Sequence, residues 1–304
     1  MATVLQQLPG GSRVAVVRLR SLGDCVLTTP ALEVLKCARP DLKVAVVVED
    51  RFAAVFEGNP DVDKLLAPAV REVCAWRPRL CLDLHGGTRS LALTVRSGAQ
   101  FRAGFAHYRY SLLYNVQIPT AQEILGVRRK VHTAEHLASA MFYLGAPKGE
   151  IPRSKLFAGG SAARREARAV IHPFASAPGK TWPAEKFIEL ARRIRGEWGL
   201  DPVFIAGPAD DLSPFSEFRT LAGAPLAEIK ALLQPASIFV GNDSGPAHMA
   251  AAFQVPSVVI FSETNPEIWG PWKAPARALV AHEGIANLPV SEVLEALERV
   301  RVAA

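Results

Sequence analysis

The stretch that decides the fold reads Phe239-Val-Gly-Asn-Asp-Ser-Gly-Pro-Ala-His-Met-Ala-Ala-Ala-Phe253. It predicts a buried strand that ends at Val240, a turn of small residues, and a helix that starts near Pro246. Ligands of open α/β folds bind at the carboxyl ends of parallel strands. Gly241 and Gly245 would let a phosphate approach the backbone, and the free N–H groups of a helix N-terminus hold an anion. The stretch therefore predicts an anion site.

The side chains of this turn suggest how the site would work. The Ser244 hydroxyl can add one hydrogen-bond donor, and His248 on the first helical turn would face the same ligand. Asp243 would repel a phosphate, so we expect it to accept hydrogen bonds from backbone N–H groups or to bind a sugar hydroxyl. A capped strand-turn-helix without a ligand is the alternative, because glycine-rich turns are common.

Two further loops follow predicted strands. The run His172-Pro-Phe-Ala-Ser-Ala-Pro-Gly-Lys-Thr-Trp182 lies between a strand and a helix. Lys180 in this loop, with Thr181 beside it, is typical of a phosphate clamp, and a solvated lysine is the alternative. Past the next strand end, Asp210 and Asp211 would bind ribose hydroxyls or cap a helix.

The whole chain alternates short apolar strands with helices. This alternation predicts an α/β fold with two Rossmann-like, doubly wound parallel sheets. Pro183 suits the first turn of the helix that follows it. The predicted strands are Val14–Val17, Lys43–Val48, Arg79–Leu84, Phe101–Phe105, Ala169–Ile171, Pro202–Ala206, Ser237–Val240 and Ser257–Phe261, and the predicted helices are about Pro30–Ala38, Ala184–Glu197, Pro225–Leu233, Ala247–Phe253 and Ser291–Val302.

Periodicity fails near Pro147–Ala163, where Pro, Gly, Ser and small residues cluster. We therefore expect two domains, residues 1–158 and 159–304. The last helix could pack on either domain, and the sequence leaves this open.

Composition describes a globular protein of 304 residues, 49% hydrophobic and 21% charged. No apolar run approaches the ~20 residues of a membrane-spanning helix, and Met1–Ser12 lacks the pattern of a secretory signal. We therefore expect a cytoplasmic protein. Buried reduced thiols are the favoured interpretation of the cysteines over zinc ligands or disulfides. The cysteines are Cys25, Cys37, Cys74 and Cys81.

Charge is distributed unevenly along the chain. Residues 1–158 hold 21 Lys and Arg against 13 Asp and Glu, whereas residues 159–304 hold 14 against 16. The basic first half predicts an anionic partner, either a phosphorylated or carboxylated molecule or a membrane face. No nucleic-acid-binding pattern accompanies the charge, so we expect no nucleic acid.

Five motifs occur in order and are spread over nearly the whole chain. They are Arg18-Leu-Arg-Ser-Leu-Gly-Asp-Cys-Val-Leu-Thr-Thr-Pro-Ala-Leu32, Asp83-Leu-His-Gly-Gly-Thr-Arg-Ser90, the two donor-side runs quoted above, and Phe261-Ser-Glu-Thr-Asn-Pro-Glu-Ile-Trp-Gly-Pro-Trp272. Together they resemble the motifs of glycosyltransferase family 9, the ADP-heptose:lipopolysaccharide heptosyltransferases.

The resemblance implies a GT-B fold with a cleft between its domains, inverting transfer from an ADP-heptose-like donor, and neither metal nor cofactor. The second domain would bind the donor through Lys180, Asp243, Ser244, Gly245 and His248. Gly23 and Asp24 would face them from the acceptor-binding first domain, with Asp24 as catalytic base. An arginine beside this aspartate, Arg18 or Arg20, would keep it ionised.

The acceptor would be an anionic lipopolysaccharide core such as Kdo-bearing lipid A, reached by peripheral contact with the inner face of the membrane. Its charges could meet some of the basic residues of the first domain, Arg89 above all. We expect a monomer. The candidate contacts are Arg20, Arg51, Arg89, Arg96, Arg102, Arg109, Arg128, Arg129 and Lys130.

The chain departs from the family pattern in several places. Ser244 replaces a common Thr, Ser262 replaces a usual Gly, and the Gly207–Asp211 stretch lacks the usual Glu of the ribose site. The link between Gly207 and Leu226 is also short. Two alternatives stay open at this point, a nucleotide-sugar epimerase of the same double-Rossmann type and a non-catalytic nucleotide-binding module.

Overall fold

A computed structural model describes residues 2–159, 165–175 and 177–302. The chain divides into two units, Met1–Phe157 and Ala158–Ala304. The join expected at Pro147–Ala163 includes residues 160–163, which lie outside the described residues.

The first unit contains a parallel six-stranded sheet in the order β3-β2-β1-β4-β5-β6. Its central strands are almost wholly apolar because both faces are covered by helices. The strands are β1 Arg13–Val17, β2 Lys43–Val47, β3 Lys64–Leu66, β4 Leu80–Asp83, β5 Phe101–Phe105 and β6 Val116–Ile118, and the helices are α1 Val4–Gln7, α2 Leu22–Ala38, α3 Asp50–Ala53, α4 Val70–Trp76, α5 Thr88–Val95, α6 Ala121–Leu125 and α7 Thr133–Leu144.

Helix α2 begins eight residues before the start expected from the sequence, so Asp24 lies in its first turn and not in a loop. Pro30 misled the sequence interpretation because proline usually ends or kinks a helix. It cannot donate to the carbonyl of Val26, four residues earlier. The Thr29 hydroxyl donates to that carbonyl instead, at 2.8 Å. The helix therefore continues through the proline.

The second unit repeats the plan with a parallel sheet in the order β12-β11-β10-β7-β8-β9. Its strands and helices alternate as the sequence predicts. The strands are β7 Glu166–His172, β8 Asp201–Ala206, β9 Arg219–Ala222, β10 Ala236–Asn242, β11 Ser257–Phe261 and β12 Ala276–Val280, and the helices are α8 Ala184–Trp198, α9 Leu226–Leu233, α10 Gly245–Ala252, α11 Pro266–Trp269 and α12 Val290–Val302.

The last helix, α12, packs on the second sheet and on α8. Its buried residues, including Val293 and Leu297, join a core that contains Trp182 and Phe204. The Trp182 indole is fully buried and donates to the Leu288 carbonyl at 3.0 Å, which fixes the segment before α12. The question that the sequence leaves open is thus settled in favour of the second unit.

Each sheet has one topological switch point, where the chain reverses the direction in which it adds strands. In the first sheet this point lies between β1 and β4, and in the second between β7 and β10. Ligands of open α/β sheets bind outside the carboxyl ends of the strands at such points. The first motif of the chain follows β1, and the stretch quoted at the outset spans the end of β10.

The thiols differ from the expectation in one respect. Cys25 and Cys81 are buried, and burial raises the pKa of each thiol to about 12, so both are unreactive. Cys37 and Cys74 are exposed, which corrects the prediction that all four are buried. In the part of the chain that the structure describes, no helix is long and apolar enough to span a membrane.

Candidate functional site

Asn242, at the end of β10, joins three segments at the switch point of the second sheet. Its side-chain oxygen accepts from the backbone N–H of Trp182 at 3.0 Å, and its amide donates to the Pro173 carbonyl at 2.8 Å. The side chain is fully buried. The loop that carries Lys180 is therefore held to the turn that carries Asp243 and Ser244. Sequence reasoning missed this role, although a polar amide at the end of a buried strand was a visible signal.

Replacing Asn242 by aspartate should lower the free energy of unfolding by about 3 kcal/mol at neutral pH. The new carboxylate would be buried against the Pro173 carbonyl that the amide now serves. A protonated carboxyl can still donate there, so the folded-state pKa of the new group should be raised and part of the lost stability should return on acidification. Denaturant titration at pH 7 and pH 5 measures both effects.

The matched control for this substitution is Asn265→Asp. Asn265 caps α11 by accepting from the backbone N–H of Glu267 at 2.9 Å. Aspartate serves equally well at such a position, so the free energy of unfolding should change by less than about 1 kcal/mol. Equal midpoints for the two variants would contradict the role assigned to Asn242.

Gly241 is required by close packing of the backbone. A Cβ at this position would lie 2.6 Å from the carbonyl oxygen of His172, which neighbours it across β7 and β10. The sequence interpretation gave this glycine to the approach of a phosphate. Its observed role is to let the two central strands meet where both motif loops begin.

Ser244 is the residue before α10, and its hydroxyl lies 3.0 Å from Nδ1 of His172. Burial lowers the pKa of His172 to about 4, so the imidazole is neutral at physiological pH. The pair therefore adds no charge to this end of the sheet. The hydroxyl is partly exposed beside the first N–H groups of α10, where the sequence places an anion.

Asp243 corrects an expectation. Its carboxylate accepts a hydrogen bond of 2.6 Å from the Thr264 hydroxyl, and within the described part of the chain it accepts none of the backbone N–H bonds that the sequence interpretation favoured. Thr264 belongs to the turn after β11. The bond ties this turn to the one after β10, because parallel strands deliver both turns to one sheet edge.

Lys180 ends a short 3-10 turn, Pro178–Lys180, and its side chain is half-buried. The Thr181 hydroxyl donates to the Ala177 carbonyl at 3.1 Å, and the Ser262 hydroxyl donates to the Gly179 carbonyl at 3.0 Å. Both bonds shape the backbone around the lysine. No residue in the described part of the chain accepts a hydrogen bond from the Lys180 ammonium group or forms an ion pair with it.

The remaining residues that the sequence assigns to the sugar-donor site are Asp210, Asp211, Gly245 and His248. Asp210 accepts from the backbone N–H of Gly207 at 2.8 Å, and Asp211 accepts from the N–H and hydroxyl of Ser213 at 2.9 and 2.8 Å. Both carboxylates therefore bond within their own loop, and neither caps the helix that the sequence interpretation offered as the alternative to a ribose contact. Gly245 begins α10, and His248 lies in its first turn with a buried side chain, 6% exposed.

In the first unit, Asp24 is the third residue of α2. Its carboxylate accepts from the Ser21 hydroxyl at 3.0 Å and lies 3.8 Å from the Arg18 guanidinium. Arg18 is buried and Asp24 is 24% exposed, so the carboxylate faces solvent on one side and a fixed cation on the other. Of the two arginines that the sequence offered as partner, Arg18 makes the contact and Arg20 is exposed.

Asp83 and His85, at the end of β4, are residues whose role the sequence did not resolve. The Asp83 carboxylate is fully buried, accepts from the backbone N–H groups of His85 and Gly86, and accepts from the Tyr114 hydroxyl at 2.8 Å. Burial and the charge of Arg18 lower the pKa of His85. The histidine is therefore a neutral group at the switch point that also carries Asp24.

The candidate acceptor arginines are not equivalent. Arg89 contacts the Glu49 carboxylate and the Pro68 carbonyl, each at 3.3 Å, and Arg129 forms a two-bond pair with Glu135. The exposed Arg109 lies with its guanidinium 4.9 Å from the Tyr110 ring centre.

Two further candidates lie at the other end of the sheet. Arg102 is the second residue of β5, and Arg96 is the C-cap of α5, the helix that precedes this strand. Both therefore lie at the amino end of the parallel strands. Asp24 follows the carboxyl end of β1, which is the opposite edge. Within the residues that the structure describes, no group of three or more His, Cys, Asp or Glu is arranged to hold a metal ion.

Known proteins resemble the chain over most of its length. The sequence profile of glycosyltransferase family 9 (heptosyltransferase) matches residues 70–294. Lipopolysaccharide heptosyltransferase 1 of Salmonella typhimurium is 26% identical, over 92% of this chain and 98% of the relative.

Solved structures resemble the fold closely. A family 9 glycosyl transferase from Veillonella parvula has a TM-score of 0.83 at 22% identity, covering 96% of this chain and 98% of its own. The E. coli heptosyltransferase WaaC with ADP has a TM-score of 0.80 at 22% identity, covering 95% and 99%.

Proposed function

Because the chain belongs to glycosyltransferase family 9, the heptosyltransferase family, we propose that it transfers a heptose or a related sugar from an ADP-sugar to an anionic acceptor of the lipopolysaccharide-core type. The second unit binds the donor and the first binds the acceptor. The observation that carries the proposal is the placement of Asp24 and the Lys180 and Ser244 loops at the switch points of their sheets. Two of the proteins named above, from Salmonella typhimurium and E. coli, are heptosyltransferases, and the second was solved with ADP.

On the donor side, Lys180 and the N-terminus of α10 bind the diphosphate. The lysine supplies a point charge, and the free N–H groups after Ser244 supply directed donors. Both meet the negative charge that grows on the departing ADP as the bond to the sugar breaks. Transfer in this proposal needs no metal or cofactor.

On the acceptor side, Asp24 takes the proton of the attacking hydroxyl. The acceptor oxygen forms a bond to the anomeric carbon as the bond from that carbon to the diphosphate breaks, and a single displacement inverts the configuration. Arg18 and Ser21 hold the carboxylate in place. Asp24 precedes the range that the family profile matches, so this assignment rests on the geometry and on the resemblance of the N-terminal motif.

The test is release of ADP from ADP-heptose with and without a Kdo-bearing acceptor. Transfer predicts ADP release only when the acceptor is present, together with a product of inverted configuration by NMR. Release of ADP without acceptor, or binding of ADP-heptose without turnover, would contradict the proposal; the second result would favour a nucleotide-binding module. Thermal-shift measurements with ADP-, UDP-, GDP- and CMP-sugars identify the donor nucleotide.

We further propose that the enzyme works in the cytoplasm as a monomer and touches the inner face of the membrane while its lipid-linked acceptor is bound. An excess of basic residues in the first 158 residues supports an anionic partner of the first unit.

A further inference from the structure

Three large apolar side chains are exposed within four consecutive residues after β5. Leu112 is 85% exposed, Leu113 is 55% exposed and Tyr110 is 51% exposed. Elsewhere in the described residues, only Tyr143 and Val302 are large apolar side chains with comparable exposure. Single exposed apolar residues are ordinary, but clustered ones mark an interaction site. We call Tyr110–Leu113 the apolar tip.

The apolar tip is an ordered turn. Ser111–Leu113 forms a 3-10 helix in which the Leu113 N–H donates to the Tyr110 carbonyl at 3.0 Å. At one end, the Tyr108 ring packs edge-on against Phe105 and over Gly86, where a Cβ would come within 2.7 Å of the ring.

The other end of the turn is anchored in the same way. The Tyr114 ring is buried over Gly104, where a Cβ would lie 2.5 Å away, and its hydroxyl donates to Asp83 at 2.8 Å. Because both flanking tyrosines are held inside the unit, the turn between them cannot fold its leucines into the core.

Basic residues accompany the apolar tip. Arg109 adjoins it, and Arg128, Arg129 and Lys130 are exposed in the loop before α7. The two segments approach each other through His107 and His136, whose ring centres are 5.4 Å apart. Glu135 neutralises Arg129, so the net positive charge comes from the other three residues. This combination suits an anionic lipid surface, in which apolar groups insert and cations meet the headgroups.

We propose that the apolar tip inserts into the headgroup region of an anionic bilayer, with Arg109, Arg128 and Lys130 on the lipid phosphates. The inference deepens the proposed function and rests on it for its purpose, because a lipid-linked acceptor must be reached at the surface. The tip follows the carboxyl end of β5, the sheet edge that also carries Asp24. Membrane contact there places the acceptor's sugar on the side of the catalytic base.

The experiment is co-sedimentation of the full chain with phosphatidylglycerol–phosphatidylcholine vesicles and with phosphatidylcholine vesicles alone. Leu112→Asp with Leu113→Asp should lower the partition coefficient on the anionic vesicles about tenfold or more, and so should the uncharged pair Leu112→Ser with Leu113→Ser. Val302→Asp, an equally exposed apolar position in the second unit, is the control and should stay within about twofold.

The charge contribution is tested separately. Arg109→Ala should weaken binding to the anionic vesicles about fivefold and leave binding to neutral vesicles unchanged. Arg96→Ala is the control, because Arg96 lies at the opposite end of the sheet and should have no effect.

Several outcomes would overturn the docking surface. They are no binding of the wild type to anionic vesicles, equal binding of the double variants and the wild type, or a dimer in solution that the Ser variants convert to monomer while vesicle binding persists. Circular dichroism confirms that each variant is folded. The vesicle measurement needs no nucleotide sugar, so an active enzyme that does not bind would refute this inference alone. Binding by a protein without transfer activity would refute the proposed function alone.

Discussion

Replacing Asp24 by asparagine should lower the rate of sugar transfer by about 10²–10⁴-fold, the usual contribution of a general base. Asparagine can still accept from the Ser21 hydroxyl, so the first turn of α2 should keep its geometry. It cannot take the acceptor's proton. ADP affinity should remain unchanged, because the proposed phosphate contacts belong to the second unit. Steady-state kinetics and calorimetric ADP titration separate the two quantities.

The substitution also leaves the buried Arg18 without its carboxylate partner, which should destabilise the fold. Activity is therefore measured well below the unfolding temperature of the variant. Asp50→Asn is the matched control, because Asp50 is an exposed aspartate in the first turn of another helix of this unit. Near-normal turnover of Asp24→Asn would end the assignment of this residue as the base.

The sequence predicted the centre of each sheet and missed its edges. The predicted α/β fold class is confirmed, and the eight strands recognised are the inner four of each six-stranded sheet. The four missed strands are the outermost ones. Inner strands are buried on both faces and appear as continuous apolar runs. The edge strands are partly exposed, so no continuous apolar run marks them. The missed strands are β3, β6, β9 and β12.

Helix α7 was missed for a different reason. Nine of its twelve residues are buried, so it lacks the polar stripe that identifies an amphipathic helix. At α2, the rule that proline ends or kinks a helix favoured a start that was too late. Nothing in the sequence shows that the Thr29 hydroxyl would donate to the Val26 carbonyl, to which Pro30 has no N–H to offer. Both errors come from contacts that exist only after folding.

For the candidate site, sequence reasoning found the loops but not their internal bonds. The turn after β10 was recognised from its glycines and its position, yet Asp243 bonds to Thr264, twenty-one residues away along the chain. Asn242 joins Pro173 and Trp182 across still longer separations. Such pairings depend on which strands lie side by side, and the order of the strands is a tertiary property. The site residues named from the sequence stay predictions until they are mutated.

Replacing Lys180 by alanine should lower kcat/KM by about 10²–10³-fold, the usual effect of removing one preorganised group that stabilises a leaving anion. The ammonium has no acidic partner among the described residues, so its charge is available to a diphosphate. ADP affinity should fall as well, because ADP retains the phosphates that the lysine is proposed to meet. This loss of ADP affinity distinguishes Lys180→Ala from Asp24→Asn, which should bind ADP normally.

The control for this prediction is Lys273→Ala, which removes the same charge from the same unit. The Lys273 carbonyl accepts from Gln254, which lies beyond the C-terminal end of α10, whereas the proposed phosphate site is at its N-terminal end. Loss of the Lys273 charge should therefore leave ADP affinity and kcat/KM nearly unchanged. If both variants lost activity equally, the effect would be one of net charge. If neither did, the diphosphate would bind elsewhere, and the loop held by Asn242 would be structural.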